Sequence, residues 1–212
     1  MTELLYLKDA YLSEVWVNVL AIEGKKVLTE KTIFSPKTHE QIGDIGLFDG
    51  IPLLGVLKQG EEIWHMLDRK PRLNIGEQAL LKLNWKKRYQ TLRLHTALHM
   101  LAQIFKREFK KYADILTIDE TGAHLEFNEE IDVMTINKVL MLANEMILKG
   151  SELEPFIDEL TGKKAINIGY LPKFECDGLF VKDIKEIGAI SFSGEDFKSG
   201  KFIITINVES VK

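Results

Sequence analysis

The hydrophobic period of this chain changes once, near its middle. Up to about residue 85 the apolar residues come in short alternating runs broken by turn signals, and from Tyr89 onward they recur every three to four positions. Such a chain must first build strands and then a part containing long helices. In the first part Val15, Val17 and Val19 alternate with their neighbours, and Glu23-Gly24-Lys25, Asp49-Gly50 and Gln59-Gly60 supply turns. Closely spaced turns between short strands predict a small β-barrel over residues 1–88. Residues 34–46 are polar and irregular, too long for a minimal hairpin connection, and form a candidate functional loop.

In the second part Leu94, Leu98, Leu101 and Phe105 predict an amphipathic helix over residues 91–111. A second helix is expected over 135–148, with Asp132 as its cap and Gly150 as its stop. Strands are expected at 115–118, 124–127, 165–168, 178–182, 189–192 and 202–208. The expected class is α+β: a small N-terminal β-barrel domain, then an α+β domain over 89–212 whose helices pack on a mainly antiparallel sheet. With 212 residues, 45% of them apolar, the chain can bury cores of ordinary size. Its single cysteine, Cys176, excludes an internal disulfide and suggests a reducing, cytoplasmic setting without a disulfide-linked partner. No apolar run reaches membrane-spanning length, so no membrane partner is expected.

The formal charge of −4 argues at face value against a polyanionic partner. It is an average over unlike parts. Lys82, Lys86, Lys87, Arg88, Arg93, Lys106, Arg107, Lys110 and Lys111 face one acid, Glu108, which gives +8 over thirty residues and leaves −12 for the remainder. A local patch of this kind can attract phosphates that the net charge would repel, although a solvated helix face has the same look.

His95 and His99 lie four residues apart within the first long helix, so both imidazoles leave one face and can share a metal. An isolated pair equally reads as two histidines on a helix flank. Thr96 follows His95, so the His-Glu-x-x-His pattern of metalloproteases is missing. Cys176 suits Zn²⁺ as a third ligand and equally reads as a small buried residue. His65 and His124 fall on strand patterns and read as structural.

Around these residues the sequence resembles a known family. Asn84-Trp85-Lys86-Lys87-Arg88 and Arg93-Leu94-His95-Thr96-Ala97-Leu98-His99-Met100-Leu101 are similar to the Asp-Trp-x-x-Arg and His-Thr-Ala-x-His-Leu-Leu motifs of the alanyl-tRNA synthetase editing domain and its freestanding AlaX-type relatives. Thr32-Ile33-Phe34-Ser35-Pro36 with Gln41, Asp44 and Gly46 resembles the family's first motif. Cys176-Asp177-Gly178-Leu179-Phe180-Val181 with Glu186-Ile187-Gly188 resembles Cys-Gly-Gly-Thr-His-Val and the Glu-Ile-Gly after it.

The resemblance implies a small barrel followed by an α+β editing domain, and a zinc-dependent deacylase that removes serine, and also glycine, from mischarged alanine tRNA. It makes His95, His99 and Cys176 zinc ligands, Thr32 the hydroxyl that recognises serine, and Gln41 a substrate-binding residue. It makes Lys86, Lys87, Arg88, Arg93, Lys106, Arg107, Lys110 and Lys111 the tRNA surface. Two positions depart from the family. Phe180 stands where the family has a fourth, histidine ligand, and Lys37-Thr38-His39-Glu40 replaces a run of glycines. His39 is thereby a candidate replacement ligand. A relative that binds tRNA without hydrolysis, and a deacylase for another aminoacyl ester, are the competing readings.

Overall fold

The alternation at Val15, Val17 and Val19 becomes a long strand, with Val17 and Val19 buried and Trp16 and Leu20 exposed on its other side. The structure is a computed structural model that describes residues 1–119 and 121–209. It divides into two units, Met1–Gln90 and Thr91–Lys212.

The first unit comprises β1 (Glu3–Leu4), α1 (Leu5–Lys8), β2 (Glu14–Glu23), β3 (Lys26–Thr29), β4 (Lys31–Thr32), β5 (Gly46–Phe48), β6 (Ile51–Gln59), β7 (Glu62–Leu67) and β8 (Gln78–Leu83). Six antiparallel strands pair in the order β2-β3-β7-β6-β5-β8, and β8 pairs back with β2. The three turns read from the sequence join β2 to β3, β5 to β6 and β6 to β7. Val17, Val19, Val27, Ile33, Phe34, Phe48, Leu53, Leu67 and Leu81 form the core within this ring. Residues 33–45 carry no helix or strand.

Helix α2 (Trp85–Phe109) starts six residues earlier than its hydrophobic period suggested. The second unit continues with β9 (Ala113–Asp119), β10 (Gly122–Phe127), α3 (Val133–Lys149), β11 (Phe156–Ile157), β12 (Lys164–Ile166), β13 (Phe174–Glu175), β14 (Ile190–Lys198) and β15 (Lys201–Val208), with a 3₁₀ turn over Ile184–Ile187. Its main sheet is antiparallel, in the order β14-β15-β10-β9, and β11-β12-β13 form a second small sheet. Leu101 and Phe105 of α2, Ile136 and Val139 of α3, Leu125 of β10 and Ile204 and Ile206 of β15 surround one small apolar cavity, which marks where helices and sheet share a core. Asp132 caps α3 by accepting from the Thr135 N–H, and Gly150 ends it at φ 79°. Among the described residues no helix is long and apolar enough to cross a membrane.

One expected strand is absent: residues 178–182 join no strand ladder among the described residues, although the Lys182 carbonyl accepts from the Leu153 N–H at 2.8 Å. Their backbone groups are engaged elsewhere. The Leu179 carbonyl faces His95 Nδ1 at 3.0 Å, Val181 N–H donates to Thr96 Oγ1, and Lys182 N–H donates to Glu186 Oε1. A segment whose polar groups serve side chains in this way cannot also form a ladder.

Candidate metal centre

Helical spacing puts His95 and His99 on one face of α2, with ring centroids 4.6 Å apart. Cys176 follows β13, and Gly178 N–H donates to its sulfur at 3.3 Å. The three ligand atoms converge. Nε2 of His95 and Nε2 of His99 are 3.2 Å apart, and Cys176 Sγ lies 3.7 Å from the first and 3.4 Å from the second. A tetrahedral zinc with ordinary Zn–N and Zn–S bonds spaces its ligands about 3.3–3.6 Å apart, so this triangle has the dimensions of one face of such a site.

The orientation of His95 is fixed from behind. Its Nδ1 donates to the Leu179 carbonyl, which leaves Nε2 with its lone pair directed into the cluster, as metal-binding histidines commonly require. Close approach is possible because residue 178 is glycine: a Cβ there would lie 2.3 Å from His95 Cε1. Thr96 accepts from Val181 N–H and donates to Leu92 O, tying the ligand-bearing turn of α2 to the segment after Cys176.

Phe180 is buried, with its ring centroid 4.6 Å from His95 and 5.6 Å from His99, and Phe174 stacks on His99 at 4.7 Å. Phe174 and Phe180 therefore set an apolar wall against the two imidazoles. Lys164 donates to the Gly178 carbonyl at 3.1 Å, and burial lowers its pKa against the opposing pull of Cys176 and Asp177.

His39 is 85% exposed, with Nε2 3.6 Å from Glu40 Oε1. The loop around it is built on Thr38, whose hydroxyl accepts from the N–H groups of Glu40 and Gln41. Gln41 is buried. Thr32 is completely buried, and its hydroxyl lies 2.9 Å from His65 Nε2 while accepting from Phe34 N–H. His65 Nδ1 faces the Val27 carbonyl at 3.1 Å, which places the ring proton on Nδ1 and makes Nε2 the acceptor of the Thr32 proton. Thr32 can offer a bound group only a lone pair. The structural reading of His65 and His124 agrees with this packing, since His124 Nδ1 faces Thr205 Oγ1 and its Nε2 faces Asp119.

Burial lowers the His65 pKa from 6.5 to about 4, against the Val27 hydrogen bond that favours the proton. Between those values the unfolded chain binds a proton that the folded chain refuses. The contribution to stability is therefore complete above pH 6.5 and is lost as pH falls toward 4, by about 3 kcal/mol. Urea unfolding midpoints of the wild type should fall over that window, and a His65→Gln variant should show a flatter profile. Parallel profiles for the two proteins would count against this assignment.

Two of the expected phosphate contacts are withdrawn by the structure. Arg88 is 2% exposed: its Nε donates to Asp44 Oδ1 at 2.9 Å, its Nη2 pairs with Asp44 Oδ2, and it also reaches the Ala10 and Ile33 carbonyls. Arg93, equally buried, donates to the carbonyls of Glu186, Ile187 and Glu209. Gly188 explains part of the Glu-Ile-Gly motif, because at φ 71° a Cβ would sit 2.7 Å from an Arg93 nitrogen. Both arginines brace the fold, since a guanidinium whose donors are taken inside cannot meet a phosphate. Lys86, Lys87, Lys106, Arg107 and Lys110 are exposed and Lys111 is half-buried. Of these, Arg107 lies over the Tyr170 ring and Lys111 pairs with Glu129.

No protein-family model matches the sequence. The alanyl-tRNA editing protein AlaX-M of Saccharolobus solfataricus is 33% identical over 217 residues, covering 90% of this chain and 91% of that protein. AlaX-M of Pyrococcus horikoshii is 29% identical over 196 residues, covering 90% and 89%. The alanine–tRNA ligase of Staphylothermus marinus is 31% identical over 194 residues, which is 89% of this chain and 20% of the ligase. Likeness at this level along nearly the whole of both chains makes this protein a member of the AlaX family of alanyl-tRNA editing proteins.

Proposed function

We propose that the protein is a trans-acting deacylase that hydrolyses the ester joining serine, and also glycine, to alanine tRNA, with one zinc ion held by His95, His99 and Cys176. The observation that carries this reading is the triangle of two imidazole nitrogens and one thiol sulfur at 3.2, 3.4 and 3.7 Å. Two nitrogens and a soft sulfur suit zinc, and three protein ligands leave a position open. A bound zinc would supply Lewis-acid polarisation of an oxygen atom. The protein's own residues prepare for it: Leu179 holds the His95 tautomer, and Phe174 and Phe180 exclude water from one side of the imidazoles.

Thr32 and Gln41 are assigned to the aminoacyl group. With its proton committed to His65, the Thr32 hydroxyl acts as an acceptor, which suits a seryl hydroxyl and gives glycine nothing. Such a second sieve is needed because alanine differs from serine and glycine by groups that a single pocket discriminates by only about 1–3 kcal/mol. Lys86, Lys87, Lys106, Arg107, Lys110 and Lys111 are assigned to tRNA phosphates, and the ring of strands is read as the family's small barrel domain.

The test combines metal analysis of the purified chain with deacylation of Ser-, Gly- and Ala-tRNA. About one zinc per chain and loss of the seryl ester are expected. The His95→Ala variant should lose the metal and at least about 100-fold in rate. A zinc-loaded protein that cleaves none of the three esters would overturn the proposal. The apolar Phe180 favours one other outcome, a metal-free protein that binds tRNA and leaves the ester intact.

A further inference from the structure

Helix α3 is fixed to its own unit on one side and bare on the other. Ile136, Val139, Ala143, Met146 and Ile147 are buried, and Asn144 clamps the helix to β14 by donating to the Ile190 carbonyl and accepting from the Ile190 N–H. On the opposite side Met134, Met141 and Leu148 are 67%, 55% and 81% exposed. They recur every seven residues, so they form one stripe about 21 Å long down the outer face. Three large apolar side chains in register on this helix are not explained by packing among the described residues.

The polar residues of the same stripe are Lys138 and Glu145, both exposed. Seven residues apart, they stand about 10 Å from each other and are too distant to pair along their own helix. Lys138 lies three residues before Met141 and Glu145 four after it. When a second α3 is laid antiparallel across the first with Met141 on its own counterpart, Met134 meets Leu148, and Lys138 falls within one residue, about 1.5 Å along the axis, of Glu145 of the second copy at two symmetric points. A parallel arrangement would instead set lysine on lysine and glutamate on glutamate. The charges therefore select the antiparallel, isologous pairing, the contact type by which closed dimers form.

We infer that the outer face of α3, through Met134, Lys138, Met141, Glu145 and Leu148, is the contact surface of a two-fold dimer of this chain. One helix pair buries little area by the standard of permanent dimers, so the dimer should be weak, with a dissociation constant of about 10–100 µM. This surface does not depend on the proposed hydrolysis.

Sedimentation velocity of the full chain over a concentration series tests the inference. The wild type should pass from monomer to dimer with concentration, and Met141→Glu, which sets two carboxylates against each other at the axis, should remain monomeric. Lys138→Glu and Glu145→Lys should each weaken self-association at least about tenfold. An equimolar mixture of those two variants should recover the dimer, because every cross-helix pair is then complementary. Misfolding cannot imitate that recovery. A wild type that stays monomeric at several hundred µM would overturn the inference and leave the stripe to a different protein. A dimer indifferent to Met141→Glu and to the charge exchanges would overturn it as well.

Discussion

On the proposed zinc site, a Gly178→Ala variant is expected to lose zinc affinity by about 10–100-fold while keeping its secondary structure. The added methyl would lie 2.3 Å from His95 Cε1 and 2.7 Å from its Nε2, distances no Cβ tolerates, so either the ring or the segment after Cys176 must move. Neither can move alone. The ring is held by the Leu179 carbonyl one residue further on, and that segment carries the Cys176 thiol two residues before. Any displacement therefore opens the ligand triangle, with an overpacking cost of about 1–3 kcal/mol to the fold. Competition with a chromophoric chelator measures the affinity and circular dichroism monitors the fold. Wild-type affinity in Gly178→Ala would show that the cluster tolerates a shift of this size.

The second large effect lies in the first unit. Arg88→Ala should destabilise the protein by about 3–5 kcal/mol, because it leaves the Asp44 carboxylate buried without its partner and removes donors from the Ala10 and Ile33 carbonyls. Asp44 has further duties in the loop, accepting from the Ser35 N–H at 2.5 Å and donating its own N–H to the Ser35 carbonyl. Thermal unfolding of Arg88→Ala, Asp44→Asn and the double Arg88→Met/Asp44→Leu variant gives the comparison. The double variant should recover part of the loss, since an apolar pair leaves no bare charge. Equal stability of Arg88→Ala and wild type would remove the ion pair from the list of folding determinants.

These two arginines show how far the sequence could be read. The thirty-residue excess of +8 was legible, and so was the helix that carries most of it, yet charge counting assigned every cation to the surface. Helical phase held the missing signal. Arg88 precedes His95 by seven residues and so shares its face, and Arg93 shares a stripe with Ala97, Met100 and Ile104, all of them fully buried. A buried cation on an apolar helix face needs internal acceptors, and only the folded chain reveals that for Arg88 these include Asp44 and for Arg93 the 3₁₀ turn before β14.

The start of α2 and the segment after Cys176 were misread for related reasons. Residues 85–90 are too polar to declare a hydrophobic period, but Arg88 N–H donates to the Asn84 carbonyl and Lys87 N–H to Asn84 Oδ1, so the helix is capped there by local chemistry. Residues 178–182 have the composition of a strand, and long-range partners on α2 together with the nearby Glu186 claim their backbone instead. Turns fared better because their information is local. Glycines at 24, 50 and 60 adopt φ of 61°, 74° and 60°, a region that other residues enter only with strain.

The single cysteine has a consequence for how this protein ages. Peroxide attack on the Cys176 sulfur yields a sulfenic acid, and a chain with no second thiol offers no internal sulfur with which to trap it as a disulfide. Its reduction must then draw on a thiol from outside the chain, and oxidation to the sulfonic acid is irreversible. If the proposed ligand set is used, its reliance on the only thiol in the chain ties its working lifetime to the redox buffer around it.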